Sequence, residues 1–499
     1  MPALDPAFSE LPYRRLGEAA LTAAADLGVD YADFRFERHR TQEARAHDTN
    51  LESLLDNEAV GYGVRVLRAG SWGFASSVTP TPEAAAGAMS RAVAVAQALA
   101  PLNRSPVELA DEPAHQGTYT SDYEVDPFSV PDAEKVGLLL ALNEQVLGSA
   151  KVAHVDFDLH QVLEGKYFAS LDGADITQQR VRVQGNFQAV RVDQRSGAFE
   201  TMRSCAAPTA RGWEHFARGY DYGREAEQVP ELLEEKMRSQ SVEPGRYDLV
   251  IDPTNLWLTI HESIGHATEL DRVLGHEANY AGTSFATVDK VNRLQYGSPI
   301  MHVTGDRMAA HGLSTVGYDD EGVEAQQWDL IRNGVLVGYQ LNRHMARQQG
   351  WGRSNGCAFA DAPQHFPLQR MPNISLRPGA EEVSVEDLIG GVDHGIYVVG
   401  DKSWSIDMQR YNFQFTGQRF YEIRGGRLAG QLKDVAYQAT TTEFWNALDG
   451  LGGPSTYLLG GAFNCGKGQP AQIAPVSHGC PAARFRDINV LNTGQEGAS

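Results

Sequence analysis

The sequence predicts an α+β protein of two domains: an N-terminal α/β layer on a largely antiparallel sheet, then a β-rich C-terminal half. Three observations carry that expectation. The chain has 499 residues, more than one ordinary hydrophobic core serves. Its first ~225 residues alternate helical windows with segments of strand periodicity. The remainder is richer in strands and in the glycine dipeptides that close hairpins. The charged, helix-prone stretch Ala226 to Gln240, followed by Pro244 and Gly245, sets the boundary, so the domains run 1–230 and 231–499.

Each element has a local reason. Leu11 to Leu27 has apolar residues at helical spacing and stops at Gly28, a natural C-terminal cap. Tyr31 to Ala46 reads as a strand, and Gly61 to Ser77 alternates around a Gly70 turn as a hairpin. Thr81 to Ala100 is a helix with Thr81 as cap and Pro82 in its first turn. Asp132 to Leu147 is another helical window. Val152 to Leu171, Asp175 to Val192 and Ala198 to Ala206 read as strands. Farther on, Ile331 to Gly338 and Ile423 to Gly430 are hairpins, turning at Asn333-Gly334 and Gly425-Gly426.

Composition excludes several function classes. Hydrophobic residues make up 42% and charged residues 21%, the balance of a globular protein. No uncharged apolar run reaches the ~20 residues of a membrane helix. The stretch Ala84 to Ala100 comes closest, and Arg91 interrupts it. The first residues lack a basic start followed by an apolar core, so no secretory signal is expected and the protein is placed in the cytoplasm. A net charge of −21 argues against a general nucleic-acid binder. The four cysteines, Cys205, Cys357, Cys465 and Cys480, are too few for a disulfide framework and read as thiols.

The chemistry concentrates after Tyr247-Asp-Leu-Val-Ile251, a short apolar strand. Asp252 offers an N-cap carboxylate, Pro253 a first-turn proline, and Leu256 to Ile264 an apolar helical face. His261, Glu262 and His266 fall inside that helix. Zinc peptidases commonly use His-Glu-x-x-His, whose histidines share one helix face. Here one extra residue separates them. At ~100° per residue, a five-residue step points the imidazoles about 140° apart. A π-bulge would restore one side, and Gly265 offers the latitude for it. The pattern then gives two imidazoles on one metal, with Glu262 as general base.

A catalytic zinc usually takes a third protein ligand. Glu269, His276, Glu277, Cys465 and Cys480 are all available in the sequence. Cys465-Gly-Lys-Gly suits a thiolate presented on a tight loop, with Lys467 favouring its charged form. Cys480 reads better as a loop cysteine without a role. Residue chemistry alone leaves the choice open.

GYGVRVLRAGSWGFASS from Gly61, HESIGHATELD from His261, RSNG and PLQRMPNISLRPG between Arg353 and Gly379, and NCGKGQPAQIAPVSHG near the end belong together. In these segments the chain resembles the TldD/PmbA family of bacterial and archaeal metallopeptidases, once called modulators of DNA gyrase. The likeness runs over nearly the whole chain. The His-Glu-x-x-x-His helix with a late Cys-Gly-Lys is the mark of the TldD-like, catalytic branch. The resemblance implies His261, His266 and Cys465 as the ligands of one zinc per chain, and Glu262 as the base. It further implies a cavity-forming dimer, with itself or with a TldE/PmbA-type partner, that takes unfolded peptides as substrates. Glu269 is a candidate to orient His266, and His478 to stabilise an oxyanion or bind substrate. The alternative is a non-catalytic assembly or maturation partner with a structural zinc site. The −21 charge disfavours the DNA-binding reading that the older family name invites.

Overall fold

Alternation along one long strand sets up the first layer. The computed structural model describes residues 2–468 and 470–496. In it β1 (Tyr31–His47) sends Phe34 and Phe36 to one face and Asp33, Arg35 and Glu37 to the other, and all five are buried. Six more strands complete the sheet: β2 (Asn50–Arg68), β3 (Ser71–Ser77), β4 (Gln116–Thr120), β5 (His154–Ser170), β6 (Asp175–Val192) and β7 (Phe199–Arg203). Their order is β3-β2-β1-β5-β6-β4, with β7 on β6. Every pairing is antiparallel except β4 with β6.

The helices cover the apolar side. After the short α1 (Pro6–Ser9), α2 (Tyr13–Asp26) and α3 (Pro82–Leu99) enclose a core with Phe34, Phe36, Tyr62 and Val64. The helices α4 (Asp132–Leu147) and α5 (Tyr222–Arg238) pack a second core on Val155, Phe157, Val183 and Phe187. The Thr81 hydroxyl caps α3 by accepting from the Ala84 N–H, as its position before Pro82 implied. Gly28 and Gly70 take φ of +61° and +71°, which suits the residue without a side chain at each stop. The strand β4 carries too short an alternation to be read from sequence, and β2 begins eleven residues before the predicted hairpin.

Beyond α5 a β ladder dominates. After β8 (Gln240–Ser241), β9 (Gly245–Ile251) pairs in parallel with His394–Ile406 and antiparallel with Ala483–Asn492. The ladder continues through Val435–Thr440 to Asn412–Arg424, which pairs back onto His394–Ile406 and closes a five-strand ring. Both predicted hairpin turns form, with Asn333, Gly334, Gly425 and Gly426 all at positive φ. The ribbon Leu458–Lys467 with Gln472–Cys480 lies outside the ring. Cys465 and Cys480 therefore sit on strands, where the sequence suggested loops, and His478 lies on the same ribbon; Cys465 falls at a register shift between Ala462 and Cys465. Among the described residues no helix is long and apolar enough to cross a membrane.

Candidate metal centre

The helix α6 (Pro253–Ile260) leaves the end of β9 and carries the centre. Asp252 caps it by accepting from the Thr254 N–H at 3.0 Å. At His261 the backbone widens into a π turn, His261–Gly265, and then tightens to a 3-10 turn, His266–Thr268. The His266 N–H bonds the His261 carbonyl, five residues back. That wide turn brings the imidazoles to one side, with ring centres 4.6 Å apart.

Other residues satisfy the carbonyls of this turn. Tyr296 donates to the Ser263 carbonyl, and Gln340 Nε2 to that of Gly265 at 2.6 Å. Gly265 has ordinary helical angles, φ −53° and ψ −63°, so conformational latitude is not its reason. A Cβ there would stand 2.6 Å from Met371 Sδ. The glycine admits a packed neighbour.

The nitrogens of His261 and His266 and the sulfur of Cys465 all lie within 4.8 Å of one another, and all three residues are buried. Cys465 Sγ stands 3.9 Å from His266 Nε2. A tetrahedral zinc with ordinary bond lengths separates its sulfur and nitrogen donors by about 3.6 Å. The donor set therefore fits a metal of that kind.

Hydrogen bonds fix which nitrogen each ring presents. His266 Nδ1 donates to Glu269 Oε2 at 2.7 Å, leaving Nε2 with a lone pair. On the other side His478 Nδ1 donates to the Ile374 carbonyl at 3.0 Å. Its Nε2 must then accept, and it does so from His261 Nδ1 at 2.7 Å. His261 Nε2 is thereby free as a ligand. Burial pushes all three imidazoles below their ordinary pKa, which favours the neutral rings this chain of bonds requires.

Charges behind the centre are organised around Lys467. Its Nζ lies 2.7 Å from Asp271, 2.9 Å from Glu277 and 3.1 Å from Glu269. Burial alone would raise Glu269, but Lys467, His266 and Arg272 hold it well below the usual carboxylate range. The partners of Lys467 are these three carboxylates and not the thiol it was expected to favour. Burial opposes a Cys465 thiolate, and the nearby Arg370 guanidinium favours it. The Arg370 guanidinium also donates to the Cys465 carbonyl.

Of the sequence candidates, Glu277 is tied to Lys467 and Arg272, His276 is exposed, and Cys480 donates towards the Pro253 carbonyl. His478 is fully buried behind His261, whose ring it holds, and it does not line the cavity where an oxyanion or substrate would lie. Glu262 borders the cavity, and its Oε2 accepts from Arg410 at 2.9 Å. Arg410, in a tight turn at φ +62°, had no sequence signal beyond its charge. The cavity is about 340 Å³ and draws on both halves of the chain, with Gln184 and Arg203 facing Trp257, Trp404 and Phe463.

Two imidazoles and a cysteine around one point, with a carboxylate on the adjoining residue facing a cleft, have the donor chemistry of a metal-dependent hydrolase. The chain belongs to the PmbA/TldD metallopeptidase family. Residues 244–492 match "PmbA/TldA metallopeptidase C-terminal domain", and residues 32–96 match "PmbA/TldA metallopeptidase domain 1". A "Metalloprotease" from Methanothermobacter thermautotrophicus is 29% identical over 93% of this chain and 96% of its own. A "Zinc metalloprotease TldD homolog" from Saccharolobus solfataricus is 22% identical over 94% and 98%. The crystal structure of TldE from Thermococcus kodakarensis shares the fold, with a TM-score of 0.68 at 17% identity over 94% of this chain and 99% of that one.

Proposed function

We propose that the chain is a zinc-dependent peptidase acting on unfolded or small peptides, with His261, His266 and Cys465 holding one catalytic zinc per chain. The convergence of three buried donors whose free lone pairs are set by Glu269 and His478 carries this reading. Zinc held there supplies Lewis acidity to the scissile carbonyl and to water. Glu262, one residue from His261 and bordering the same cavity, takes the proton of the attacking water and returns it to the leaving amine. Arg410 holds the Glu262 carboxylate in place between these steps. Buried side chains keep the ligands rigid.

The cavity supports a peptide rather than a folded substrate. The strand Leu458–Lys467 lines it and pairs on one side only, with Gln472–Cys480, among the described residues. An open edge there offers backbone groups to an extended chain. We further propose that 1–230 and 231–499 act as two domains joined through α5. The dimer partner is a second copy or a TldE-type chain, whose shared fold allows a pseudo-symmetric pair. A cysteine ligand is best kept reduced in the cytoplasm.

The test compares the purified protein with Glu262→Gln for bound metal and for cleavage of unstructured peptides, each alone and with a TldE-type partner. The expected outcome is zinc in both proteins at this centre, cleavage by the wild type, and a loss of about 10²-fold or more in the variant. Zinc in both with cleavage by neither would give precedence to a structural or maturation role. No zinc in either refutes the centre.

A further inference from the structure

A second group of imidazoles and carboxylates stands at the end of the first sheet and shares no residue with the centre above. His47 closes β1, Asp48 begins the turn to β2, and His154 opens β5. Asp48 is held on every side. It has φ +50°, its N–H donates to the Val155 carbonyl at 2.8 Å, and its Oδ1 accepts from the Val155 N–H at 3.0 Å. Its carbonyl accepts from Asn143 Nδ2 at 2.9 Å. These bonds fix Oδ2, which lies 3.0 Å from His154 Nδ1 and 3.5 Å from His47 Nε2.

The protonation pattern leaves a gap there. His47 Nδ1 lies 2.9 Å from Asp156 Oδ1. A carboxylate only accepts, so Nδ1 carries the proton and Nε2 of the neutral ring presents a lone pair. That lone pair faces the Asp48 carboxylate, acceptor against acceptor. A second proton on His47 or a cation between the two would turn that contact into an attractive one. Donors on a tetrahedral zinc sit about 3.3 Å apart when the bonds are about 2.0–2.1 Å. The observed spacings of 3.0 and 3.5 Å bracket that value. All three donor atoms lie within 4.8 Å of one another, and the two rings stack at 18°.

The surroundings also favour a cation. Asp156, Asp158 and Glu52 lie around Arg45 beside the cluster, adding three carboxylates against one guanidinium. Side-chain exposures of 41% for His47, 26% for Asp48 and 55% for His154 leave room for an ion to enter and for water to complete its shell.

We propose that His47, Asp48 and His154 form a second metal site, with Asp156 orienting His47. Two imidazoles and one carboxylate suit zinc or a neighbouring transition ion better than magnesium or calcium. The ion pins the β1–β2 turn to the start of β5, residues 106 apart in sequence for Asp48 and His154. The site stands independently of the peptidase reading. With zinc in excess, the chain then binds two ions, one of them at the hairpin.

The test strips the full-length protein of metal and titrates it with zinc by calorimetry at mildly alkaline pH. That pH is chosen because the Asp156 bond raises the His47 pKa. Wild type is expected to take up two equivalents. His154→Ala should take up one, and should cleave peptides at the wild-type rate. His154→Gln, which keeps a hydrogen-bonding group towards Asp48 but is a poor ligand, should lose the same equivalent. His266→Ala should keep the hairpin equivalent while losing the buried one. Equal uptake by wild type and both His154 variants overturns the proposal, as does a wild type whose single ion is lost in His266→Ala.

Discussion

As proposed ligands, His261 and His266 are unequal in character, because their partners differ. His266 leans on the Glu269 anion, whereas His261 leans on a neutral imidazole, His478, whose own proton is committed to the Ile374 carbonyl. An anionic partner raises ligand basicity, and a neutral one mainly fixes the tautomer. Replacing His478 by Phe removes the only acceptor described for His261 Nδ1 and frees the ring to present either nitrogen. His478→Phe is expected to weaken zinc binding about 10–100-fold, as removal of such a partner typically does. His478→Gln, which restores an acceptor oxygen, should recover part of that loss. Competition with a chromophoric chelator reads both. Affinity equal to wild type in the Phe variant would mean that His261 is oriented by packing alone.

At the scale of the element, the π turn is where sequence and structure meet most closely. The His-x₄-His spacing admits one metal only if the helix widens, and it does widen, from His261 to Gly265. That much follows from rotation per residue. What sustains the turn was not legible, because Tyr296, Gln340 and Met371 are 30 or more residues away in sequence and meet it only through tertiary packing. The same holds for Arg370 and Arg410. Each is an ordinary arginine until the fold sets it against the Cys465 carbonyl or the Glu262 carboxylate. The strand placement of Cys465 was missed for a related reason, since its glycine-rich surroundings read as a loop and the pairing partner is needed to see a bulged ribbon. Tyr296→Phe tests the support of the turn. It keeps the ring and strips the donor from the buried Ser263 carbonyl, so stability is expected to fall by about 1–3 kcal/mol. Urea unfolding measures the change, and a midpoint identical to wild type would remove Tyr296 from this role.

For the molecule as a whole, the telling feature is that the first sheet buries a charged face. Glu37, Glu164, Lys166, Arg180 and Arg182 are each 5% exposed or less. Lys166 sits at the join between the two halves of the chain. Its Nζ is 2.9 Å from Asp320 Oδ2 and donates to the Ala360 carbonyl at 2.9 Å, with Glu164 at 3.5 Å and Glu37 at 3.8 Å. Nearby Arg65 joins Asp33, from its own sheet, to Glu321. An apolar contact between the halves would tolerate sliding, whereas this one fixes a single arrangement, and the cavity depends on that arrangement because both halves line it. Lys166→Met keeps most of the stem volume and leaves Asp320, Glu164 and Glu37 with less compensation in a dry interior. Such one-sided removal costs about 3–5 kcal/mol. Removing Arg14 from its exposed pair with Asp175 should cost at most about 1 kcal/mol. Parallel urea titrations of Lys166→Met and Arg14→Met make the comparison with the same substitution in both. If the two variants lose equal stability, the charged face is solvated in solution and does not lock the halves together.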